Sequence, residues 1–493
     1  MQDWIELESL HVVSDLHLGG RAGFQIFGST AELVWLIDRV ATTPVPGRHG
    51  LLINGDIVDF LAEEPSTYFD LDGAVAKLDS VWQHFEPIFA ALQRLLDTPD
   101  RLLMINLGNH DLELALPWVR AHLTDRVTKG SASAGARLLL VTDGTGVRCR
   151  VGSAKVLALH GNEVDSWNVT DHERLRRIGR NCQFGLPVDS WTPNAGTQMV
   201  IEVMNQIKRD YPFVDLLKPE TGGVLPILAA LRPGVHRKLL DLAGIAGRKA
   251  WDLTRMRGGF LDAETPAAFP AEGYRPAPVF AAPAPARSRE TLLRDVESAW
   301  RQGVAPISLV RGTQDQQLGF WSATRDFVTG RPKHEVLREA LEHLDHDRSF
   351  DPAAPDDTFR ELDSMVGVEI DLLLAGHTHL ERSIPRSRGR GHYFNSGTWA
   401  RLIRVEPTVR QNEAAFKSLF SVLDGGTMEV LDNARINFGG VDREVVLRRN
   451  TVVLIEADRA AGSVRASLQH VLPANGPQPI RLEPAGAETW TGD

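Results

Sequence analysis

Five short polar blocks each follow an apolar run of the kind that forms a buried strand. The blocks are Asp15-Leu16-His17, Gly55-Asp56-Ile57-Val58-Asp59, Gly108-Asn109-His110-Asp111, His160-Gly161-Asn162 and Gly376-His377-Thr378-His379. Short apolar runs bounded in this way are consistent with strands buried in a sheet. Carboxylates, an amide and imidazoles that reach one edge of a sheet would form a site for two divalent metal ions, and such sites hydrolyse bonds at phosphorus.

The spacing of apolar residues predicts an α/β fold with one large interruption. Runs at 10–13, 51–53 and 102–105 predict buried strands, and residues 74–96 carry apolar side chains at a helical period. This alternation is typical of α/β proteins. It breaks at about residue 166, where helical periodicity begins to dominate, and strand signals return at 371–375.

We therefore predict four segments along the chain. They are a first part of the core at 1–165, a mostly helical insertion or lid at 166–365 with a Pro/Ala-rich linker at 262–289, a second part of the core with C-terminal strands at 366–472, and a flexible tail at 473–493.

Composition and charge narrow the range of partners. The 493 residues carry a net charge of -10, so no basic field covers the whole molecule and a nucleic-acid partner is less favoured. Two cysteines are too few for a disulfide framework, and the first residues carry no export signal, so we expect a cytoplasmic protein. Residues 225–257 form a basic amphipathic pattern, which fits either a helical lid packed on the core or a contact with lipid at a membrane surface.

The spacing within the blocks suits metal ligation. Asp15 and His17 are two residues apart, so in an extended segment both side chains point the same way and can reach one ion. His377 and His379 repeat this spacing. Asp56 has two carboxylate oxygens, which could bridge two ions ~3.5–4 Å apart. Each block alone also fits a solvated turn without chemistry.

The third block adds a candidate for proton transfer. Asn109 offers a neutral carbonyl oxygen to a metal, and the adjacent His110 is a natural proton donor to a leaving oxygen. Asp111 could hold the His110 imidazole in place and keep it protonated. Asp59 fits better as a turn residue or a supporting residue than as a metal ligand.

Taken in order, the five blocks resemble the calcineurin-like metallophosphoesterase superfamily over residues 10–165 and 370–405. The resemblance implies two mixed β-sheets packed face to face and flanked by helices. It also implies two metal sites: Asp15, His17, Asp56 and His379 would hold one ion, and Asp56, Asn109, His160 and His377 would hold the other. A hydroxide bridging the ions would attack phosphorus, with His110 as general acid. Mn²⁺ is the first choice of metal, and Fe, Zn or Mg also fit.

Within that superfamily the nearest resemblance is to the UDP-2,3-diacylglucosamine pyrophosphatase-like branch. It rests on SDLHLG at residues 14–19, on His160-Gly161-Asn162 and on an insertion before GHTH. The chain differs from that branch at His110 and Asn162, where the branch has Arg and Asp. It also differs from Ser/Thr protein phosphatases, because Phe60 rather than Arg follows Asp59.

Two other interpretations remain open. A nuclease or cyclic-nucleotide phosphodiesterase would use the insertion as a substrate groove, lined by tryptophans that also fit a protein core: Trp167, Trp191, Trp251, Trp300 and Trp321. A non-catalytic regulatory or scaffold protein on the same fold would have lost metal ligands, and none of the seven is lost. The favoured substrate is a phosphorylated small molecule or a nucleotide.

Overall fold

The computed structural model describes residues 4–44, 46–188, 190–218, 332–342, 348–438 and 440–492, together with Leu231 and Ile245. The predicted linker at 262–289, almost all of the basic segment 225–257, and three of the five tryptophans (Trp251, Trp300 and Trp321) lie outside these residues.

The described strands form two large sheets and one hairpin. Their bounds are β1 Ile5–Leu7, β2 Ser9–Val13, β3 His49–Asn54, β4 Arg101–Asn106, β5 Leu138–Val141, β6 Val147–Val151, β7 Ala154–Ala158, β8 Leu372–Ala375, β9 Arg382–Pro385, β10 His392–Asn395, β11 Arg435–Phe438, β12 Val441–Glu444, β13 Thr451–Asp458, β14 Ser463–Leu472, β15 Arg481–Pro484 and β16 Trp490–Gly492. The larger sheet has the order β15-β14-β13-β2-β3-β4-β5, with β16 against β14, and the smaller sheet has the order β1-β6-β7-β8-β10-β9. Strands β2 to β5 are parallel, whereas β13 joins β2 antiparallel, so both large sheets are mixed.

Helices connect and cover the sheets. Their bounds are α1 Thr30–Thr42, α2 Ala74–His84, α3 Glu86–Asp97, α4 Pro117–Thr128, α5 Ala132–Gly135, α6 His172–Gln183, α7 Ala195–Met199, α8 Asn205–Ile207, α9 Lys333–Glu342, α10 Asp357–Met365, α11 Pro407–Arg410, α12 Glu413–Leu423 and α13 Met428–Asn433. A π-helical turn, Val200–Met204, separates α7 from α8. Within the described ranges, no helix is long and apolar enough to cross a membrane.

The two large sheets pack face to face through an apolar layer. Leu10, Leu52 and Met104 of the larger sheet meet Val156 and Leu374 of the smaller one, and all five side chains are fully buried. Helices α1, α3 and α4 cover the outer face of the larger sheet, and α10 covers the outer face of the smaller one. The predicted fold class, an α/β arrangement of two mixed sheets flanked by helices, is confirmed.

Two local expectations differ from the structure. The helical pattern over 74–96 is divided into α2 and α3 at Phe85, because Pro87 in the first turn of α3 cannot donate the backbone hydrogen bond that a continuous helix needs. The predicted flexible tail contains β15 and β16, which pair with β14. The edge of the sheet offers these residues backbone partners, and composition alone does not reveal them.

Part of the predicted insertion packs against the second part of the core. Phe213 and Leu216 are buried together with Ile403, Phe416 and Leu431 in an apolar cluster separate from the one between the sheets. Residues 199–217 are therefore tied to the segment that follows the smaller sheet.

The layer between the sheets gives a stability prediction. Met104→Ala should lower the free energy of unfolding by about 2–5 kcal/mol, because it leaves a cavity in a fully buried layer. The matched control is Met365→Ala on α10, where the side chain is 55% exposed. Chemical denaturation measures both changes. Equal losses for the two variants would contradict the placement of Met104.

Candidate metal centre

The five polar blocks meet where the two sheets end. Strands β2, β3 and β4 run parallel in the larger sheet, and β7 and β8 run parallel in the smaller one. The carboxyl ends of parallel strands lie at the same edge of a sheet. The segments that follow these strands carry Asp15 and His17, Asp56, Asn109 and His110, His160, and His377 and His379.

The backbone at this edge is strained. Five site residues other than glycine have positive φ angles: Asp15 at 53°, His17 at 48°, Asp56 at 54°, His377 at 68° and His379 at 59°. Such angles are uncommon outside glycine and persist only where the surroundings enforce them. Here the loops hold one another, since His17 N–H donates to the Asp56 carbonyl at 2.9 Å and His377 N–H donates to Asp15 Oδ2 at 3.0 Å. These hydrogen bonds between loops therefore hold the strained backbone in place and fix the side chains of different blocks relative to one another.

The side chains converge into overlapping groups with metal-ligand spacing. Three groups have ligand atoms within 4.8 Å of one another: Asp15, His17 and His379; Asp15, Asp56 and His160; and His17, Asp56 and His110. His379 Nε2 lies 3.3 Å from Asp15 Oδ1, and His160 Nε2 lies 3.3 Å from Asp56 Oδ2. Asp15, His17 and Asp56 each belong to two of the three groups, and of these the Asp56 carboxylate is the one predicted to bridge two ions.

Several donor atoms in the cluster face one another at short distances. His17 Nε2 and His379 Nε2 are 2.9 Å apart, a hydrogen-bond distance when one of the two rings carries its proton there. The His160 Nδ1–H group donates to the Asn54 carbonyl at 2.8 Å, so in the neutral ring the Nε2 lone pair faces the Asp56 carboxylate. Asn109 is buried, and its Oδ1 has no hydrogen-bond partner among the described residues. These donor atoms suit divalent cations that accept both oxygen and imidazole ligands.

The raised pKa of His160 also shows that this part of the cluster stabilises positive charge. Burial alone would lower this pKa, but the neighbouring Asp56 carboxylate outweighs burial and raises it to about 10. Interaction with His160 also contributes to holding the pKa of Asp56 well below its usual range, despite burial. A cation at this point would replace the proton as the partner of the carboxylate.

His377 lies at the edge of the cluster and belongs to none of the three groups. Its Nε2 atom is 2.8 Å from Asp165 Oδ2, and its ring centroid is 5.4 Å from that of His160. A carboxylate on Nε2 fixes the proton there and leaves the Nδ1 lone pair for a metal, which is how such histidines are usually supported. Sequence reasoning missed Asp165 because it stands alone at the predicted boundary of the core.

His110 is oriented by Asp59 and not by Asp111, which corrects the sequence-based prediction. His110 Nδ1 lies 3.1 Å from Asp59 Oδ1. The Asp111 carboxylate instead accepts the backbone N–H groups of Gly108 at 2.7 Å and Ile57 at 2.9 Å, so it braces the two loops. Adjacency in sequence favoured Asp111, but the turn aims its side chain away from the ring. Asp59 is the second acidic residue of the block Gly55-Asp56-Ile57-Val58-Asp59, and this position was the sequence feature that could have identified it as the partner of His110.

The charges around His110 keep its ring protonated. Burial would lower the pKa of His110, but the carboxylates of Asp59 and Asp56 raise it to about 9. Interaction with His110 lowers the pKa of Asp59, which burial alone would raise. Burial, with help from Asp56, raises the pKa of Asp111 to about 7. Asp59 and His110 therefore form an ion pair, whereas Asp111 does not compete for that role.

Two lysines of the predicted insertion approach the cluster, and sequence reasoning missed both. Lys208 forms an ion pair with Asp215 and is electrostatically coupled to His110. Lys218 is 5% exposed and is coupled to Asp15 and His379. Burial lowers the pKa of Lys218 to about 7, against the opposing effect of the two nearby aspartates, Asp15 and Asp215. Neither lysine lies in a motif, so the sequence carried no signal for them.

The two facing mixed sheets carry a buried cluster of Asp and His side chains at their strand ends, and this arrangement suits a metal-dependent phosphoesterase. Residues 9–209 match the family model of the calcineurin-like phosphoesterases. The match runs past the predicted boundary at 165 and includes α6, α7 and α8. Comparison with curated proteins gives no match.

Metal content tests the cluster directly. Asp56→Asn should reduce bound Mn²⁺ from two ions per chain to about one or fewer, because Asp56 belongs to two of the three groups and is the ligand expected to be shared by both ions. Elemental analysis after dialysis against Mn²⁺ measures the content. Asp97→Asn, at a half-exposed carboxylate on α3, is the matched control and should leave the content unchanged. Full occupancy in the Asp56 variant would contradict a shared ligand.

Proposed function

We propose that this domain hydrolyses a phosphoester or pyrophosphate bond with two divalent ions, Mn²⁺ being the first choice. One ion would be held by Asp15, His17, Asp56 and His379, and the other by Asp56, Asn109, His160 and His377. The observation that carries the proposal is the buried cluster of three overlapping Asp/His groups, two of which contain Asp56, with the Asp59–His110 pair directly beside it.

The protein's own side chains would hold the ions in position and supply the proton for the leaving group. When bound, the two ions lower the pKa of a water nucleophile and neutralise the phosphoryl oxygens. The strained loops hold the ligands in one arrangement before substrate arrives, so little reorganisation is needed during the reaction. The second carboxylate oxygen of Asp56 accepts the His110 backbone N–H at 2.8 Å, which fixes the proton donor relative to the ligand cluster.

His110 is the proposed general acid. The Asp59 carboxylate is hydrogen-bonded to Nδ1 of His110, so the proton for the leaving oxygen would be carried on the other ring nitrogen, Nε2. The His110 side chain is 19% exposed, whereas those of His17 and His160 are 1% or less exposed, so His110 is the imidazole that a leaving group can most easily reach. A proton donor matters most for leaving groups that are poor without protonation.

The resemblance to the UDP-2,3-diacylglucosamine pyrophosphatase-like branch brings pyrophosphate into the proposed range of substrates. The nuclease alternative gains less support from the two tryptophans of the set that the structure describes, because Trp167 and Trp191 pack against apolar clusters. We therefore favour a phosphorylated small molecule or a nucleotide. Asp15, His17, Asp56, His160 and His379 lie together in buried groups with metal-ligand spacing, which supports an enzyme over a scaffold that has lost its ligands.

Removal of metal tests the proposed chemistry. The protein should hydrolyse p-nitrophenyl phosphate or bis-p-nitrophenyl phosphate with Mn²⁺, lose this activity in EDTA, and regain it when Mn²⁺ is restored, because the cluster binds the ions that activate water. Release of nitrophenolate measures the rate. Hydrolysis that survives complete chelation, or no hydrolysis of either ester in Mn²⁺, would overturn the proposal.

Leaving-group dependence tests the role of His110. His110→Ala should lower kcat by ~10²–10⁴-fold for esters with alkoxide leaving groups, and by much less for nitrophenyl esters, which need no protonation. Asp59→Asn should show the same dependence with a smaller loss, since it leaves the imidazole in place but removes its partner. The double variant should lose little more than His110→Ala does, because the two residues act as a unit. Equal losses across all leaving groups would remove the general-acid role.

A further inference from the structure

A cleft of about 600 Å³ lies between two segments that carry none of the predicted metal ligands. Its volume falls within the range of ~300–1,000 Å³ that is typical of small-molecule sites. One wall is formed by residues 64–66, in the segment that follows Asp59, and the other wall by residues 201–210 of the predicted insertion. The polar cleft, as we call it, is lined by Glu64, Pro65, Ser66, Ile201, Asn205, Gln206, Arg209 and Asp210.

Hydrogen bonds connect the polar cleft to the proposed proton donor. Asn205, which lines the cleft, donates its side-chain amide to the Leu61 carbonyl at 3.1 Å. Phe60 N–H donates to the His110 carbonyl at 3.1 Å, and the preceding Asp59 contacts the His110 ring. The cleft is therefore joined to the segment that orients His110, and it is placed to receive the group that His110 would protonate.

Both walls of the polar cleft are anchored. Val203 and Ile207 are buried in the apolar cluster that ties the insertion to the second part of the core. Tyr68, just beyond the other wall, hydrogen-bonds to Glu202 of the insertion. The two walls are thus bound to the core and to each other, and a preformed cleft reduces the ordering that a ligand must impose when it binds.

The lining of the polar cleft suits hydroxyl groups. Six of its eight residues are polar and offer both donors and acceptors, and a hydroxyl group can both donate and accept. Glu64 and Asp210 carry two negative charges against the one positive charge of Arg209, which disfavours a second phosphate group. Pro65 and Ile201 are the two apolar residues of the eight, and none is aromatic, so the lining favours neither an acyl chain nor a stacked base.

Arg209 and Glu64 face each other across the polar cleft and are only weakly paired. Arg209 Nη2 lies 3.8 Å from Glu64 Oε1, and the two side chains are 74% and 62% exposed. Ion pairs between exposed groups contribute little stability. Both side chains can therefore turn toward a ligand at little cost, and the forked geometry of a guanidinium or a carboxylate allows two hydrogen bonds to neighbouring hydroxyl groups.

We propose that the polar cleft binds a polyhydroxylated leaving group, such as a sugar or cyclitol ring, and makes the enzyme selective for phosphate esters of polyols. This proposal rests on the phosphoesterase function proposed above. Glu64, Arg209 and Asp210 would contact the ring hydroxyls while the phosphorus lies at the metal cluster. Such a leaving group departs as an alkoxide, so it needs the proton that His110 would supply.

The test compares myo-inositol 1-phosphate with cyclohexyl phosphate, which share a carbon ring and differ in its hydroxyl groups. Both esters release an alkoxide, so both depend on His110. In the wild-type protein with Mn²⁺, kcat/KM should be higher for the inositol ester. Arg209→Ala should raise KM for that ester by about threefold to tenfold, the size of one lost hydrogen bond, with a smaller effect on the cyclohexyl ester. Release of inorganic phosphate measures both rates.

Two further variants separate contact with the ring from damage to the fold. Arg209→Lys should recover part of the lost affinity, because it keeps a charged donor in the cleft. Arg435→Ala is the matched control, since Arg435 is 62% exposed and pairs with Glu444 on the hairpin of β11 and β12. Its loss should leave the ratio between the two esters unchanged. All three variants should bind two Mn²⁺ ions, because no metal ligand is removed.

The outcomes distinguish the two proposals. If the wild-type protein hydrolyses no phosphate ester with Mn²⁺, p-nitrophenyl phosphate included, the phosphoesterase function itself fails. If p-nitrophenyl phosphate is hydrolysed but the inositol ester is not preferred, or if Arg209→Ala affects both ring esters equally, the cleft does not recognise hydroxyl groups. A loss in Arg209→Ala that is larger for inorganic pyrophosphate than for the inositol ester would show that the cleft holds a second phosphate, and would equally overturn the proposal.

Discussion

Three buried carboxylates, those of Asp15, Asp56 and Asp59, must be neutralised within one cluster, and the rest of the site is arranged around that need. An ionised carboxylate is stable in the interior only when it is paired and hydrogen-bonded. Asp59 pairs with His110, Asp15 faces His379, and Asp56 faces His160. The histidines can meet part of the demand by taking up protons, and divalent cations can meet it more fully. Metal binding and the stability of this edge of the fold are therefore coupled.

The charges can be held so close together only because the backbone is locked. The five left-handed site residues would each favour another conformation, and hydrogen bonds between loops hold them in this one. The loops come from distant parts of the chain. Trp399 N–H reaches the Asp15 carbonyl at 3.3 Å, while the Trp399 ring nitrogen donates to the Thr451 carbonyl of β13 at 3.0 Å. Strand β13 in turn pairs with β2, which leads into Asp15. The C-terminal strands thus support the first metal-binding block.

The sequence predicted what depends on local pattern and failed where three-dimensional direction decides. Asp56 and His160 could be placed because each follows an apolar run, and parallel strands bring such ends together. Asp111 was ranked above Asp59 because it is adjacent to His110 in sequence, and only the turn geometry shows that Asp59 is the carboxylate that meets the ring. Lys218 carried no local signal at all. The pairing of β15 and β16 was equally hidden, because an edge strand is stabilised by its partner more than by its own composition.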